Sequence, residues 1–336
     1  MNICLIGAGS IGGILAVLLQ KNGFAPDIVV NGEEKAELIK KEGYYLTGLL
    51  GDIHENLSVY PSVDALEKKY DVCLIATKYQ QMPGIASSMI PHLTDDALVV
   101  SVQNGNCLES LSEVVGAEHS VGAMISFSAT LLDVNKDDVT AMDKLVIGMP
   151  NGHHPARLDE LAGVLNTIIP THVSDDIVAD LYAKIIFNSC INAIAAVSDT
   201  TVGHMMDTKI GREAMLNVMR EGANVTAAMG IDVPHFNLIP KYSFFAKHNG
   251  KVFNAVWGRI MQISLRAKSG NVIPSTLQSL RKGRITEIDI MNGHLATMGE
   301  KYGVPTPTNS SLTKIIKEIE SGQRALSKDN IKGVIV

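Results

Sequence analysis

Residues 3–22 run from an apolar strand (Ile3-Cys4-Leu5-Ile6) through Gly7-Ala8-Gly9-Ser10-Ile11-Gly12 into an apolar helix that stops at Gly23. This Gly-x-Gly-x-x-Gly order at a strand–helix junction constrains the chain more than any other feature. The first glycine permits the tight turn, the second lets the backbone approach a pyrophosphate, and the third allows close helix–strand packing. The free N–H groups that open the helix then face the phosphates. Gly7, Ala8, Gly9, Ser10, Ile11 and Gly12 are therefore candidate cofactor-binding residues. The competing reading is an ordinary glycine-rich turn without a ligand. The immediate sequence of strand, turn and helix selects the dinucleotide site.

Strand and helix patterns continue to alternate through the first half. Strands are expected at 27–30, 72–76, 98–102, 120–125 and 145–149, helices at 11–22 and 33–42, and β-rich excursions at 44–60. Such alternation predicts a doubly wound parallel sheet. From about residue 174 the pattern turns helical, with helices expected at 176–198, 208–229, 250–268, 275–302 and 308–321, and a solvated tail beyond. The fold class is thus α/β, a Rossmann-type N-terminal domain (1–170) followed by an all-helical C-terminal domain (171–336), divided near Pro170. A length of 336 residues agrees with two domains.

The net charge of −6 gives no footprint for nucleic acid or an anionic membrane. No uninterrupted apolar run reaches the roughly 18 residues of a membrane span, and the N-terminus, which starts a strand at once, lacks a signal-peptide pattern. The four cysteines show no metal or redox spacing, and His153-His154 has no matching cluster, so no metal is expected and the expected setting is the reducing cytoplasm.

The end of the second strand ordinarily separates NAD from NADP, through an acid for the ribose 2′-OH or a base for a 2′-phosphate. Here it reads Asn31-Gly32-Glu33-Glu34-Lys35, where Lys35 meets a phosphate only by folding back. Lys78 and Asn104 each follow a buried strand, where ligands of open α/β sheets sit. A solvated loop lysine and a plain Asn-Gly turn are the alternatives.

The segment 176–198 is almost wholly apolar from 185 to 197, yet it carries Lys184, Asn188 and Asn192 at intervals of four. That spacing puts all three on one helix face. Burying such groups is unfavourable unless they are partnered. They line either an internal polar network or a ligand cleft, and one cation with two amides suits a carboxylate-bearing substrate. Further on, Ser275 followed by Gln278 reads as a capping box, and Glu287 as an acid whose role is open.

Together, Gly7-x-Gly9-x-x-Gly12, Lys78, Gln103-Asn104-Gly105, Lys184-x-x-x-Asn188-x-x-x-Asn192 and Ser275 placed before Thr286-Glu287-Ile288-Asp289 resemble the ketopantoate reductase (2-dehydropantoate 2-reductase) family over most of the chain. The resemblance implies NADPH-dependent reduction of a 2-oxo acid, ketopantoate, to a 2-hydroxy acid. It implies Lys184 as proton donor, Asn188, Asn192 and Ser275 as substrate ligands, Asn104 on cofactor and substrate, and Lys78 and Glu287 on the cofactor. The chain departs from the family at Asn31, where a base is often found, at Val202, an asparagine in some members, and at Ser279, often an acid. The stretch 235–270, with Phe244, Phe245, Phe253 and Trp257, is longer than in compact members. NADH, a paralogue acting on another 2-oxo acid, and a non-catalytic dinucleotide-binding protein are the alternatives. A homodimer through the helical domain is a further expectation.

Overall fold

The computed structural model describes residues 1–236 and 239–336; Asn237 and Leu238, inside the long stretch noted above, lie outside the described residues. The chain forms two compact units, Met1–Leu181 and Tyr182–Val336.

The first unit runs β1 (Ile3–Ile6), α1 (Ser10–Lys21), β2 (Asp27–Val29), α2 (Glu33–Glu42), β3 (Tyr44–Gly48), β4 (Ile53–Glu55), β5 (Ser58–Tyr60), β6 (Tyr70–Ile75), α3 (Met82–Met89), β7 (Leu93–Ser101), α4 (Leu108–Val115), β8 (Ser120–Ile125), β9 (Ser128–Asp133), β10 (Lys136–Ala141), β11 (Leu145–Gly148), α5 (Ala156–Asn166) and β12 (Thr171–Val173). Eight strands make the main sheet in the order β12-β11-β8-β7-β6-β1-β2-β5. Its central strands are continuous buried runs of Ile, Val, Leu and Cys, the composition of strands covered on both faces. Cys4 and Cys73 lie side by side on β1 and β6 as buried thiols. The sheet is parallel except where β11 runs antiparallel to β8. β12 pairs with β11, so the sheet extends past Pro170 and the division between units falls inside the following helix.

The β-rich excursions expected at 44–60 are β3, β4 and β5, and the first two belong to a second sheet, β4-β3-β10-β9. β4 pairs with β3, and β3 pairs with a hairpin at 128–141 that the sequence did not disclose, while β5 lies at the main sheet's edge. The second sheet packs on α1. Gly13 is needed there, because a Cβ would strike the Tyr44 hydroxyl and the Asp137 carboxylate.

The second unit takes up α6 (Ile177–Val197) from Tyr182 onward, then α7 (Lys209–Ala228), α8 (Tyr242–Lys247), α9 (Lys251–Ser269), α10 (Ser275–Arg281), α11 (Asn292–Tyr302) and α12 (Pro307–Glu320). α6 is long and apolar enough to cross a membrane, but most of it is buried inside the protein, as a core helix is. The helix expected over 275–302 is broken: α10 ends at a turn through Gly283 (φ +62°), and a 3-10 turn at Ile288–Ile290 precedes α11. The tail is not merely solvated. Asn330 and Ile331 are buried, and Ile335 exchanges hydrogen bonds with Thr308 and Ser311 of α12.

Candidate functional site

In the first unit the glycine turn lies at the carboxyl end of β1, and Lys78 and Asn104 follow β6 and β7. β1 has β2 on one side and β6 on the other, so the strand order reverses beside the turn. Such a switch point is where open α/β sheets hold ligands.

The three glycines have three different causes. Gly7 has φ +98°, a left-handed conformation that L side chains rarely adopt. Gly12 has no room, since a Cβ would collide with the Gly7 carbonyl. Gly9 has φ −89°, and nothing lies within 4 Å of where its Cβ would be. The fold itself therefore does not require glycine at position 9, whereas a diphosphate resting on the backbone does. Gly9 is the N-cap of α1, which has no side-chain cap and no acid in its first turn, leaving its N–H groups available to an anion. The buried Thr77 hydroxyl, beside Gly7, has no hydrogen-bond partner among the described residues. These features fit a dinucleotide.

Lys35 does fold back. From the first turn of α2 its ammonium donates to the Ala8 carbonyl at 2.9 Å. Burial lowers its pKa, opposed by the nearby Asp137 carboxylate. Asp137 is fully buried and accepts from Tyr44 Oη at 2.8 Å. Burial raises its pKa, and hydrogen bonds from Tyr44 and Ser10 oppose that rise. Asn31 is exposed. Gln103, for which the sequence suggested no role of its own, accepts from Ser101 Oγ (2.6 Å) and donates to the Thr77 carbonyl (3.1 Å). It thereby ties the loop that bears Asn104 to the loop that bears Lys78. Asn104 is half-buried and Lys78 exposed.

In the second unit, Lys184, Asn188 and Asn192 occupy successive turns of α6. Lys184 and Asn188 are half-buried, and Asn192 is buried with Nδ2 3.6 Å from Met291 Sδ. The protein packed around the Lys184 ammonium desolvates it and brings its pKa down to about 8, against the opposing pull of the Glu287 carboxylate. Glu287 is not on a long helix but at the head of the 3-10 turn. Its neighbour Thr286 is buried and clamped by Glu320, which accepts from Thr286 N (2.7 Å) and Oγ1 (2.6 Å). That clamp fixes where Glu287 leaves the backbone. Lys184 and Glu287 are thus brought within electrostatic reach although about a hundred residues separate them in sequence.

One expectation is corrected here. Ser275 forms no capping box. It is the first residue of α10 after Pro274 and is exposed, while Gln278 Nε2 donates to the Ile273 carbonyl at 2.9 Å. Val202, where some family members carry an asparagine, is buried, 2% exposed, with its N–H on the Val272 carbonyl. Phe244, Phe245, Phe253 and Trp257 pack on one another, joining α8 to α9.

Sequence reading missed a second polar cluster in this unit. Glu221 of α7 is buried and accepts from Thr308 N (2.8 Å), Asn309 N (2.9 Å) and Asn309 Nδ2 (2.7 Å) at the start of α12. Asn292 Nδ2 donates to Asn309 Oδ1 (2.9 Å) and to the Ser189 carbonyl (3.2 Å).

Two family models cover most of the chain: ketopantoate reductase PanE/ApbA matches residues 3–152, and its C-terminal model matches residues 176–320. A 2-dehydropantoate 2-reductase of Aquifex aeolicus is 26% identical over 95% of this chain and 97% of its own length. One from Pyrococcus abyssi is 26% identical over 96% and 98%. Among solved structures, a PanE/ApbA family ketopantoate reductase from Ralstonia eutropha superposes with a TM-score of 0.81 at 23% identity, covering 96% of this chain and 99% of that one. D-mandelate dehydrogenase in complex with NADH and anilino(oxo)acetate gives 0.80 at 21% identity, with coverage of 96% and 99%. The two structures establish likeness of fold, and the matched models show that the chain belongs to the ketopantoate reductase family, a family of nicotinamide-dependent oxidoreductases.

Proposed function

We propose that the protein reduces ketopantoate to pantoate with NADPH, Lys184 acting as proton donor. The observation that carries this reading is the state of Lys184: a desolvated ammonium with a pKa of about 8, on one helix face with two asparagines and opposed by Glu287. The nicotinamide, when bound, supplies the hydride that reaches the ketone carbon. Negative charge then grows on the ketone oxygen. The Lys184 ammonium stabilises that charge and delivers its proton, leaving a neutral amine that regains a proton from water. A pKa near 8 leaves the group mostly protonated at neutral pH while making the proton easier to give up than from a free lysine. Asn188 and Asn192 present amides to the substrate carboxylate and hydroxyl, and Ser275, at the start of α10, offers a hydroxyl.

On the cofactor, the residues from Gly7 to Gly12 hold the diphosphate, and Lys78, Asn104 and Glu287 make side-chain contacts. The preference for NADPH rests on Lys35, whose ammonium beside the glycine turn provides the positive charge that Asn31 does not. The four buried free thiols accord with a cytoplasmic setting.

The test is oxidation of NADPH and of NADH by the purified protein with ketopantoate and with a panel of other 2-oxo acids. The reading requires ketopantoate with NADPH to give the highest kcat/KM. Faster turnover of another 2-oxo acid would replace the substrate. A preference for NADH would remove Lys35 from 2′-phosphate recognition. Tight cofactor binding without turnover of any acid would make the protein a binder rather than an enzyme.

A further inference from the structure

Three acids are buried among the described residues: Asp27, Asp137 and Glu221. Two of them are answered in kind. Asp27 has the Lys68 ammonium at 2.8 Å, and Glu221 receives three N–H donors. Asp137, fully buried, has neither among the described residues. Tyr44 Oη donates to its Oδ2 at 2.8 Å, and its Oδ1 has no hydrogen-bond partner among the described residues. A carboxylate taken out of water needs a cation or several donors to stay ionised without a large cost. Asp137 is therefore the buried acid closest to giving up its charge, and the chemistry proposed above makes no use of it.

It stands against the glycine turn. From β10 the side chain meets the first turn of α1, where a Cβ on Gly13 would strike its carboxylate. Gly13 N donates to the Gly9 carbonyl, so the point of contact is one turn, about 5.4 Å along the axis, beyond Gly9. Little else there is charged. β3 and β9 set Leu46 and Leu131 beside Asp137, and the less buried Lys136 and Asp138 alternate to the other face of the sheet. His54 of β4 stacks on Tyr45, which alternates away from Tyr44 in the same manner. α1 carries no ionisable side chain before Lys21. The cation that acts on Asp137 is Lys35, and its ammonium already donates to the Ala8 carbonyl.

We propose that Asp137 is a further residue of the dinucleotide site, one that takes up a proton from water as the cofactor's diphosphate settles on the glycine turn. The inference rests on the reading of that turn as the diphosphate site. The diphosphate brings negative charge to the same end of α1 that the carboxylate already faces, and the Lys35 ammonium has to serve both. One to two helix turns apart within protein, two like charges repel by enough to move a protonation equilibrium about tenfold. The diphosphate is a strong acid and keeps its charge, so Asp137 yields. The proton converts its carboxylate to a carboxyl group, which no longer repels the phosphates. Burial favours that neutral form, while the Tyr44 and Ser10 hydroxyls favour the ionised one until the cofactor arrives. Because binding gains a proton, affinity for the cofactor falls as pH rises.

Isothermal titration calorimetry of the full chain with NADH, in buffers of different ionisation enthalpy between about pH 5.5 and about pH 8, counts the protons taken up per cofactor bound. NADH is the probe because its diphosphate holds its charge across that range, whereas the 2′-phosphate of NADPH titrates near 6. The native protein is expected to gain about half a proton or more at the maximum, and to bind NADH about tenfold more weakly at the alkaline end. D137N should lose that gain and that fall in affinity. Its amide oxygen still accepts from Tyr44, and a thermal melt shows that it folds. Y44F keeps the carboxylate and removes its donor, so the maximum should move to higher pH. If NADH binds too weakly to titrate, NADPH is compared between the native protein and D137N, where the contribution of the 2′-phosphate cancels. A gain that D137N retains, or a native protein that binds NADH with no gain anywhere in the range, would overturn the proposal alone. A protein that binds neither NADH nor NADPH would remove the diphosphate from the glycine turn and this proposal with it.

Discussion

Glu221 and Lys184 are both ionisable groups taken out of water in the helical unit, yet their surroundings differ in kind. Glu221 receives three N–H donors at the N-terminus of α12, an arrangement that complements the helix dipole and leaves the carboxylate well satisfied. Lys184 is desolvated enough to lose affinity for its proton even with a carboxylate nearby, and its side chain keeps some contact with solvent. A group satisfied by its own fold contributes to stability. A group held in a state that weakens its hold on a proton is available for chemistry. The contrast separates scaffold from reagent within one helical bundle.

Removing each group should break the comparison in opposite directions. The largest effect is expected from Lys184→Ala: kcat falls about 10²–10⁴-fold, the usual contribution of a positioned general acid, while cofactor binding and the thermal melt hold. Steady-state kinetics beside a cofactor titration checks this, and retained turnover would remove Lys184 from the chemistry. Glu221→Gln should do the reverse. It sets an amide NH2 toward N–H donors and should lower unfolding stability by about 3 kcal/mol, with kcat per folded molecule unchanged, as read by urea denaturation and by activity below the transition.

The proton on Lys184 sharpens the contrast further. Its folded pKa of about 8 lies below the ordinary lysine value, so over the window from about 8 to about 10.4 the unfolded chain binds more protons than the folded one. Stability from this group therefore rises with pH across that window. Below it, the folded state carries the full penalty of a desolvated ammonium. Lys184→Met, which cannot titrate, should be more stable than the native chain by about 1–2 kcal/mol at neutral pH, and the gap should close as pH rises through the window. kcat of the native enzyme should fall as pH rises above about 8, because the protonated donor is lost. A gap independent of pH would show that Lys184 titrates as an ordinary lysine.

The two polar sets also differ in how much the sequence discloses. Lys184, Asn188 and Asn192 stand out because a regular interval of four interrupts an apolar run within one helix. The glycine turn is legible for the same local reason. Glu221, Asn292 and Asn309 come from three helices and meet only once those helices pack, so each reads alone as a surface residue. The second sheet was hidden likewise, since β3 pairs with β10 nearly a hundred residues later. The break between α10 and α11 was hidden because the segment keeps a helical apolar pattern across Gly283 and the turn at Ile288–Ile290. Lys35 was visible, but the Asp137 that faces it comes from the undisclosed hairpin.

Two asparagines give the finest form of the contrast, since they share a side chain and differ only in surroundings. Asn188 is half-buried on the Lys184 face of α6, and Asn292 is fully buried with its amide on Asn309 and Ser189. Truncating Asn292 to Ala leaves Asn309 Oδ1 and the Ser189 carbonyl each short of a donor in a place water does not reach, and should lower stability by about 1–3 kcal/mol with KM unchanged. Truncating Asn188 removes an amide from an accessible face, where water replaces it, so the melt should hold. If Asn188 binds substrate equally in the ground and transition states, KM for the 2-oxo acid should rise about tenfold with kcat little altered. Should Asn188→Ala instead shift the melt and leave KM alone, Asn188 would belong with Glu221 as scaffold rather than with Lys184 as reagent.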